Sequence, residues 1–261
     1  MNRLPNIMVA PNGARHRKAD HPALPITLPE LLLTAKDCFA AGAGGLHLHL
    51  RSAEGQHILD AGLYREAVQA LNTAVPEMVI QITTEAAGIF LPPHQMQIAF
   101  NSGATLVSAS VRELVRGQTA PELKRFYQRA DEQGIQIQHI LYRLEDLHLL
   151  KTVLPESQYN NNALQLLFVL GTYGEPASAA PSQLDPYLQQ MQQDTITPDW
   201  AVCAFGYAET RCLHYAGAKR GKMRVGFENS FWNDDKSVAK NNAERVREAA
   251  SLLCGDSPNN A

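Results

Sequence analysis

Two histidines one residue apart, in the run Leu46-His47-Leu48-His49-Leu50-Arg51, are the side chains of this sequence best suited to hold a metal. On an extended strand residues i and i+2 share a side, so His47 and His49 face one way while Leu46, Leu48 and Leu50 face the other. Two imidazoles on one face suit a borderline cation such as zinc. The competing reading is a pair of core histidines hydrogen-bonded to neighbours. A third ligand has to come from a nearby strand, and Glu228, expected to close the last apolar run, is the candidate; its own competing role is a rim carboxylate paired with Arg224. Two histidines and one carboxylate leave coordination positions open, which is the pattern of a catalytic rather than a structural centre. One carboxylate against a dication also leaves net positive charge, which attracts an anionic, chelating substrate.

The elements that must position these residues alternate along the whole chain. Short apolar, β-branched runs occupy 7–10, 45–50, 78–83, 106–111, 135–142, 164–171, 200–206 and 223–227, with helix-period stretches between them. Thr27-Leu28-Pro29-Glu30 predicts a helix start and Gly42 its stop, and Thr119-Ala120-Pro121-Glu122 predicts another start, with an end near Gly134. Eight strand–helix units imply parallel pairing and predict a single (β/α)8 TIM barrel over residues 1–261, an α/β fold, rather than an open sheet. No G-x-G-x-x-G follows the first run. Barrel chemistry sits at the C-terminal strand ends, which picks out Asn12, Arg15, Arg51, Thr83, Thr84, Glu85, Ser108, Ser110, Arg112, Glu113, Gln138, Tyr142, the stretch 171–173, Gly206, Tyr207, Asn229 and Ser230 beside the metal candidates. The Gly/Pro/Ser/Ala stretch 172–182 is long for a loop and is expected to have a functional role. His139 is expected as a satisfied core histidine, and His57 as a solvated or hydrogen-bonded one.

The bulk numbers narrow the class. A formal charge of −3 lacks the basic surface a nucleic-acid partner requires. No apolar run reaches the roughly 20 residues of a membrane span, and the start lacks a signal pattern, so a cytoplasmic protein is expected. Cys38, Cys203, Cys212 and Cys254 have no paired spacing and read as small core residues. The polar stretch 255–261 is expected to fray.

Several motifs together resemble one family. Ala10-Pro11-Asn12-Gly13-Ala14-Arg15 and Lys18-Ala19-Asp20-His21-Pro22 are similar to the opening of the β-keto acid cleavage enzymes. The likeness continues through His47-Leu48-His49-Leu50-Arg51, Gln81-Ile82-Thr83, Phe168-Val169-Leu170-Gly171, Trp200-Ala201-Val202 and Arg224-Val225-Gly226-Phe227-Glu228-Asn229. The resemblance implies a (β/α)8 barrel, usually a homotetramer, with zinc on His47, His49 and Glu228. It implies a reaction in which a β-keto acid and acetyl-CoA give acetoacetate and a new acyl-CoA. By position, Arg224, Thr83 and Ser108 match residues with catalytic roles, and Asn12, Arg15 and Arg51 fall where substrate is read.

The sequence departs from that pattern twice. The family's founding member has an aspartate, assigned as general base, where this chain has Asn229, which cannot accept a proton in that role. Glu85 is the substitute carboxylate at a strand end, unless it pairs with an arginine such as Arg112. The founding member also has a glutamate that reads the substrate's amino group where this chain has Arg15. A cation there favours a neutral or carboxylate-bearing tail, unless Arg15 reaches for CoA phosphates with Arg17 and Lys18. Two further classes stay open: a catalytically silent barrel that binds metal or acyl-CoA, and a zinc hydrolase barrel. Such hydrolases place the histidine pair on the first strand and add histidines on later ones.

Overall fold

The computed structural model describes residues 3–254. Eight strands form its centre: β1 (Ile7–Val9), β2 (Gly45–Leu48), β3 (Val79–Thr83), β4 (Leu106–Ser110), β5 (Gln136–Leu141), β6 (Gln165–Leu170), β7 (Asp199–Ala204) and β8 (Lys222–Val225). All pair in parallel and in chain order, and β1 pairs with both β2 and β8, which closes the barrel. A helix follows each strand: α1 (Leu28–Ala40), α2 (Ala61–Ala74), α3 (Pro92–Asn101), α4 (Ala120–Glu132), α5 (Leu144–Val153), α6 (Asp185–Gln193), α7 (Glu209–Ala218) and α8 (Asn242–Cys254). The fold is therefore a (β/α)8 TIM barrel.

Local chemistry explains these elements. Helix α1 begins where the sequence places it. The Glu30 carboxylate accepts from the Thr27 amide at 2.9 Å, and Gly42, at φ +110°, leaves the helical region just past its end. The same device starts α4, where the Thr119 amide donates to Glu122 at 2.7 Å. Helix α4 buries Leu123, Phe126, Tyr127 and Ala130, the i, i+3, i+4, i+7 stripe of a helix lying on a sheet. Strand residues alternate between two cores. Leu46, Leu48, Leu141, Leu166, Phe168 and Val202 pack outward against the helices, while Ile140, Leu167, Val169, Ala201 and Cys203 fill the barrel.

Two expectations about the strands change. The second apolar run stops pairing after Leu48, and Leu50–Arg51 forms a small antiparallel hairpin with His57–Ile58 above the barrel. Glu228 does not close β8 but lies three residues beyond it, past Gly226 at φ +137°. A side chain at Gly226 would meet the Ala10 carbonyl at 2.6 Å, so only glycine lets the chain turn back there. No helix among the described residues is long and apolar enough to cross a membrane. Cys38, Cys203 and Cys212 are buried and free. The expectations for the Cys254 side chain and for residues 255–261 fall outside the described residues.

Candidate metal centre

The three metal candidates meet at the C-terminal mouth of the barrel. His47 Nε2 lies 3.1 Å from His49 Nε2, and Glu228 Oε2 lies 3.6 Å and 3.4 Å from these two atoms. Ligands about 2.0–2.1 Å from a tetrahedral ion are separated by about 3.3 Å, so this triangle has the size a single zinc-like cation requires. Among the described residues, this is the only trio of histidine, cysteine or acidic side chains so placed.

The electrostatics point the same way. Burial pushes both imidazoles well below the usual histidine pKa, with Arg224 adding to the effect at His47 and His47 adding to it at His49. Both are therefore neutral donors. Glu228 Oε1 accepts from Arg224 Nη2 at 3.0 Å, whereas its Oε2 is buried without a partner. The carboxylate thus combines the two roles open to it, ion pair through one oxygen and candidate ligand through the other. A buried carboxylate oxygen with no donor is costly unless a cation meets it. The donor set and this orphaned oxygen both fit a divalent metal.

The loops that carry Glu228 are tightly tied. The Asn242 side chain accepts from the Phe227 amide at 2.9 Å and donates to the Pro11 carbonyl at 3.0 Å, and the Glu228 amide donates to Ala10 at 3.0 Å. Gly13, at φ +60°, lies against the Glu228 side chain so closely that a Cβ would stand 2.6 Å from Cγ.

Around this triangle are two connected spaces. An inner one of about 20 Å³ is bounded by the ligand trio with Thr83, Glu85, Ser110 and Tyr142, and holds about one water or ion. An outer one of about 400 Å³ is bounded by Asn12, Arg15, Arg143, Tyr173 and Phe205 among others. Glu85, Tyr142, Arg224 and Glu228 border both. A larger cavity of about 660 Å³ opens at the opposite end, by the starts of β5 and β6, and contains none of the candidate site residues.

Glu85 is the best-placed free carboxylate. Its Oε2 lies 4.0 Å from His49 Nδ1, and burial, then the carboxylates of Glu228 and Glu113, raise its pKa to about 7. It does not pair with Arg112, which forks onto Asp146 at 2.6–3.2 Å. Thr83 Oγ1 accepts from the Glu85 amide at 2.9 Å, so it orients this residue as well as bordering the inner space. His57, from the small hairpin, donates through Nε2 to the Glu85 carbonyl at 2.9 Å and packs 5.2 Å from the His49 ring. It is buried and hydrogen-bonded, the second of the two roles the sequence leaves open for it.

The other expected residues divide. Arg15 stacks over Tyr173 at 4.8 Å on the wall of the outer space, and the 172–182 segment supplies that tyrosine. Asn12 also borders this space, but its amide nitrogen is used on the carbonyls of Pro25 and His49 at 3.0 and 3.2 Å. Arg51 differs from the expected substrate contact. Its guanidinium makes four hydrogen bonds to the carbonyls of Gly13, His16 and Gly55, and so holds the loops of the mouth in place. Ser108 is buried below the inner space, and Ser110, one inward-facing position further up β4, borders it instead. Asn229 borders neither space, and both polar atoms of its side chain are buried without partners. His139 faces the helix layer 5.3 Å from the Tyr127 ring, and its Nδ1 has no partner, contrary to the expected satisfied histidine.

Two glutamines join the site, Gln138 from the strand-end candidates and Gln81 from outside them. Gln81 and Gln138 are fully buried on β3 and β5 and link to His47: Gln81 Oε1 meets His47 Nδ1 at 2.8 Å, and Gln81 Nε2 donates to Gln138 Oε1 at 2.9 Å. The signal available was a glutamine at the inward phase of an otherwise apolar strand, as in Ile80-Gln81-Ile82.

The fold and site define a (β/α)8 barrel with a candidate divalent-metal centre at its catalytic mouth. The chain belongs to the β-keto acid cleavage enzyme family, whose model matches residues 6–255. It is 24% identical over 247 residues to the 3-keto-5-aminohexanoate cleavage enzyme of Fusobacterium nucleatum, a match spanning 92% of this chain and 88% of that one. It is 23% identical over 260 residues to the 3-oxoadipate:acetyl-CoA acetyltransferase of Cupriavidus necator, spanning 94% and 87%. Among solved structures, a ternary complex of ObcA with a C4-CoA adduct and oxalate matches with a TM-score of 0.69 at 13% identity. That match covers 90% of this chain and 64% of the longer ObcA chain, and it speaks for the fold alone.

Proposed function

We propose that this chain is a zinc-dependent acyl-transferring enzyme that exchanges acyl groups between a β-keto acid and acetyl-CoA. In this reaction R–CO–CH2–COO⁻ and acetyl-CoA give R–CO–CoA and acetoacetate. The observation that carries the reading is the donor triangle of His47, His49 and Glu228, at the barrel mouth of a member of this family. A divalent cation held there supplies Lewis acidity, which favours enolate formation in a substrate with a ketone next to a carboxylate.

The remaining work falls to side chains of the chain. Glu85, bordering both spaces, takes the proton from the carbon between ketone and carboxylate, the task that Asn229 cannot perform. The hydroxyls of Thr83, Ser110 and Tyr142 line the inner space and are placed to donate to developing negative charge on oxygen. Arg224 holds Glu228 through Nη2, and its Nε and Nη1 have no partner, which leaves two donors for a substrate anion. Arg15, on the outer wall, sets the tail preference toward a carboxylate-bearing or neutral group. The Cupriavidus relative, whose name specifies 3-oxoadipate, supports the dicarboxylate choice.

The test is to incubate the zinc-loaded protein with acetyl-CoA and a panel of β-keto acids, 3-oxoadipate included, and to assay acetoacetate. Product from at least one acid is expected. Folded, zinc-bearing protein that yields none from any of them would make the barrel a silent binder.

A further inference from the structure

The orientation of an amide side chain is ambiguous by itself, because its oxygen and nitrogen exchange places on a flip. Inside this barrel the ambiguity is removed by one backbone group. The Leu166 carbonyl can only accept, and Gln138 Nε2 lies 3.4 Å from it. That points Gln138 Oε1 at Gln81, whose facing atom is then the nitrogen, at 2.9 Å. Gln81 Oε1 in turn faces His47 Nδ1 at 2.8 Å, so Nδ1 must carry the ring proton. The lone pair is left on Nε2, the atom turned toward His49 and Glu228. Both glutamines are at most 1% exposed, so bulk solvent does not reach a flipped amide. Flipping either amide sets oxygen against oxygen or leaves a buried N–H unmet, at a cost of about 1–3 kcal/mol.

We propose that Gln138 and Gln81 are positioning residues that fix His47 in its Nδ1–H form, so that its Nε2 faces the metal position as a ready-made ligand. The relay spans three strands, β6 to β5 to β3, before reaching His47 on β2. Neither glutamine contacts the ligand triangle except through His47. His49 has no equivalent, since its Nδ1 is without a hydrogen-bond partner. The pair is therefore held asymmetrically, one imidazole locked by the barrel interior and the other facing Glu85.

This role rests on the metal centre proposed above, and the experiment separates the two. Long-range ¹H–¹⁵N correlation spectra of the metal-free protein report the tautomer of His47 directly, and competition with a chromophoric chelator reports zinc affinity. The wild type is expected to show His47 as Nδ1–H. In Gln138→Met, which keeps the shape and removes the amide, Gln81 is free to flip and the Nε2–H form gains population. Zinc affinity in that variant falls by about 10- to 100-fold, the usual size of such indirect effects on a ligand. Gln138→Glu, neutral in this buried position, donates its carboxyl O–H to the Leu166 carbonyl and again presents an acceptor to the Gln81 amide, so it is expected to recover affinity to within about threefold of the wild type. An Nε2–H His47 in the wild type overturns the proposal, and this holds even if Gln138→Met fails to fold. Unchanged tautomer and affinity in a folded Gln138→Met overturn it too. A wild type with Nδ1–H at His47 but no zinc binding supports the relay and removes the metal reading instead.

Discussion

Substituting Gly13 tests how the Glu228 ligand is placed without altering any ligand. A Cβ built on Gly13 stands 2.6 Å from Glu228 Cγ, whereas ordinary contact begins near 3.4 Å. In Gly13→Ala one side must therefore give by about 0.8 Å. The Gly13 loop cannot easily retreat, because Arg51 Nη1 holds the Gly13 carbonyl at 2.7 Å and Asn242 holds Pro11. The Glu228 backbone is pinned to Ala10, so the side chain is the part that moves. Moving Oε2 outward by a similar amount would lengthen its 3.4 and 3.6 Å edges beyond what one cation can bridge. Loss of one of three protein ligands is expected to cost at least ~100-fold in zinc affinity, about 2.7 kcal/mol. The left-handed backbone at φ +60° adds strain of about 1–2 kcal/mol in the metal-free protein, lowering its melting temperature by a few degrees. Chelator competition on the folded variant measures the first effect and a melt of the stripped protein the second. Zinc affinity within threefold of the wild type would refute the argument that Gly13 is required for the placement of Glu228.

Three further outcomes are expected. Glu85→Gln keeps the shape and removes the base, so kcat in the acetoacetate assay should fall by ~10²- to 10⁴-fold while zinc still binds; unchanged turnover would move the base elsewhere. Arg15→Glu should invert tail preference, reducing kcat/KM for a carboxylate-tailed β-keto acid and raising it for an amino-tailed one, each by at least about tenfold; equal loss on both would assign Arg15 to CoA or to structure. His139 gives a pH signature: burial lowers its folded-state pKa to about 3, against 6.5 when unfolded, so below pH 6.5 the unfolded chain binds the extra proton. Its contribution to stability is intact above that pH and is lost as pH falls, by about 2 kcal/mol between pH 7 and 5. Urea unfolding of His139→Phe should show a shallower fall over that range, and an identical slope would contradict the assignment.

The barrel was legible because parallel strands buried on both faces leave continuous apolar runs, and Pro/Thr/Glu helix starts stand between them. The ligand trio was legible for a related reason: His47 and His49 interrupt an apolar strand at period two. What was hidden depended on contacts across strands. Gln81, and the role of the strand-end candidate Gln138, acquire meaning only through the side-chain hydrogen bond that joins β3 to β5 past β4, and His57 reaches Glu85 through a hairpin too short to leave a pattern. The exchange of Ser108 for Ser110 came from depth along β4, since both face inward and only the upper one meets the open space. Arg51 was misassigned because a guanidinium at a strand end serves equally well to bind substrate or to tie loops, and only its carbonyl partners decide. Asn229, expected not to act as a base, has a side chain that lies away from both spaces.

The central claim is that His47, His49 and Glu228 hold one catalytic zinc. X-ray absorption at the zinc edge, on stripped protein reloaded with one equivalent of Zn²⁺, tests it most directly. The account predicts tight binding of one ion per chain in a nitrogen/oxygen environment with the scattering signature of two imidazoles and no sulfur. Failure of the folded protein to take up zinc, or a sulfur-ligated ion, would contradict it.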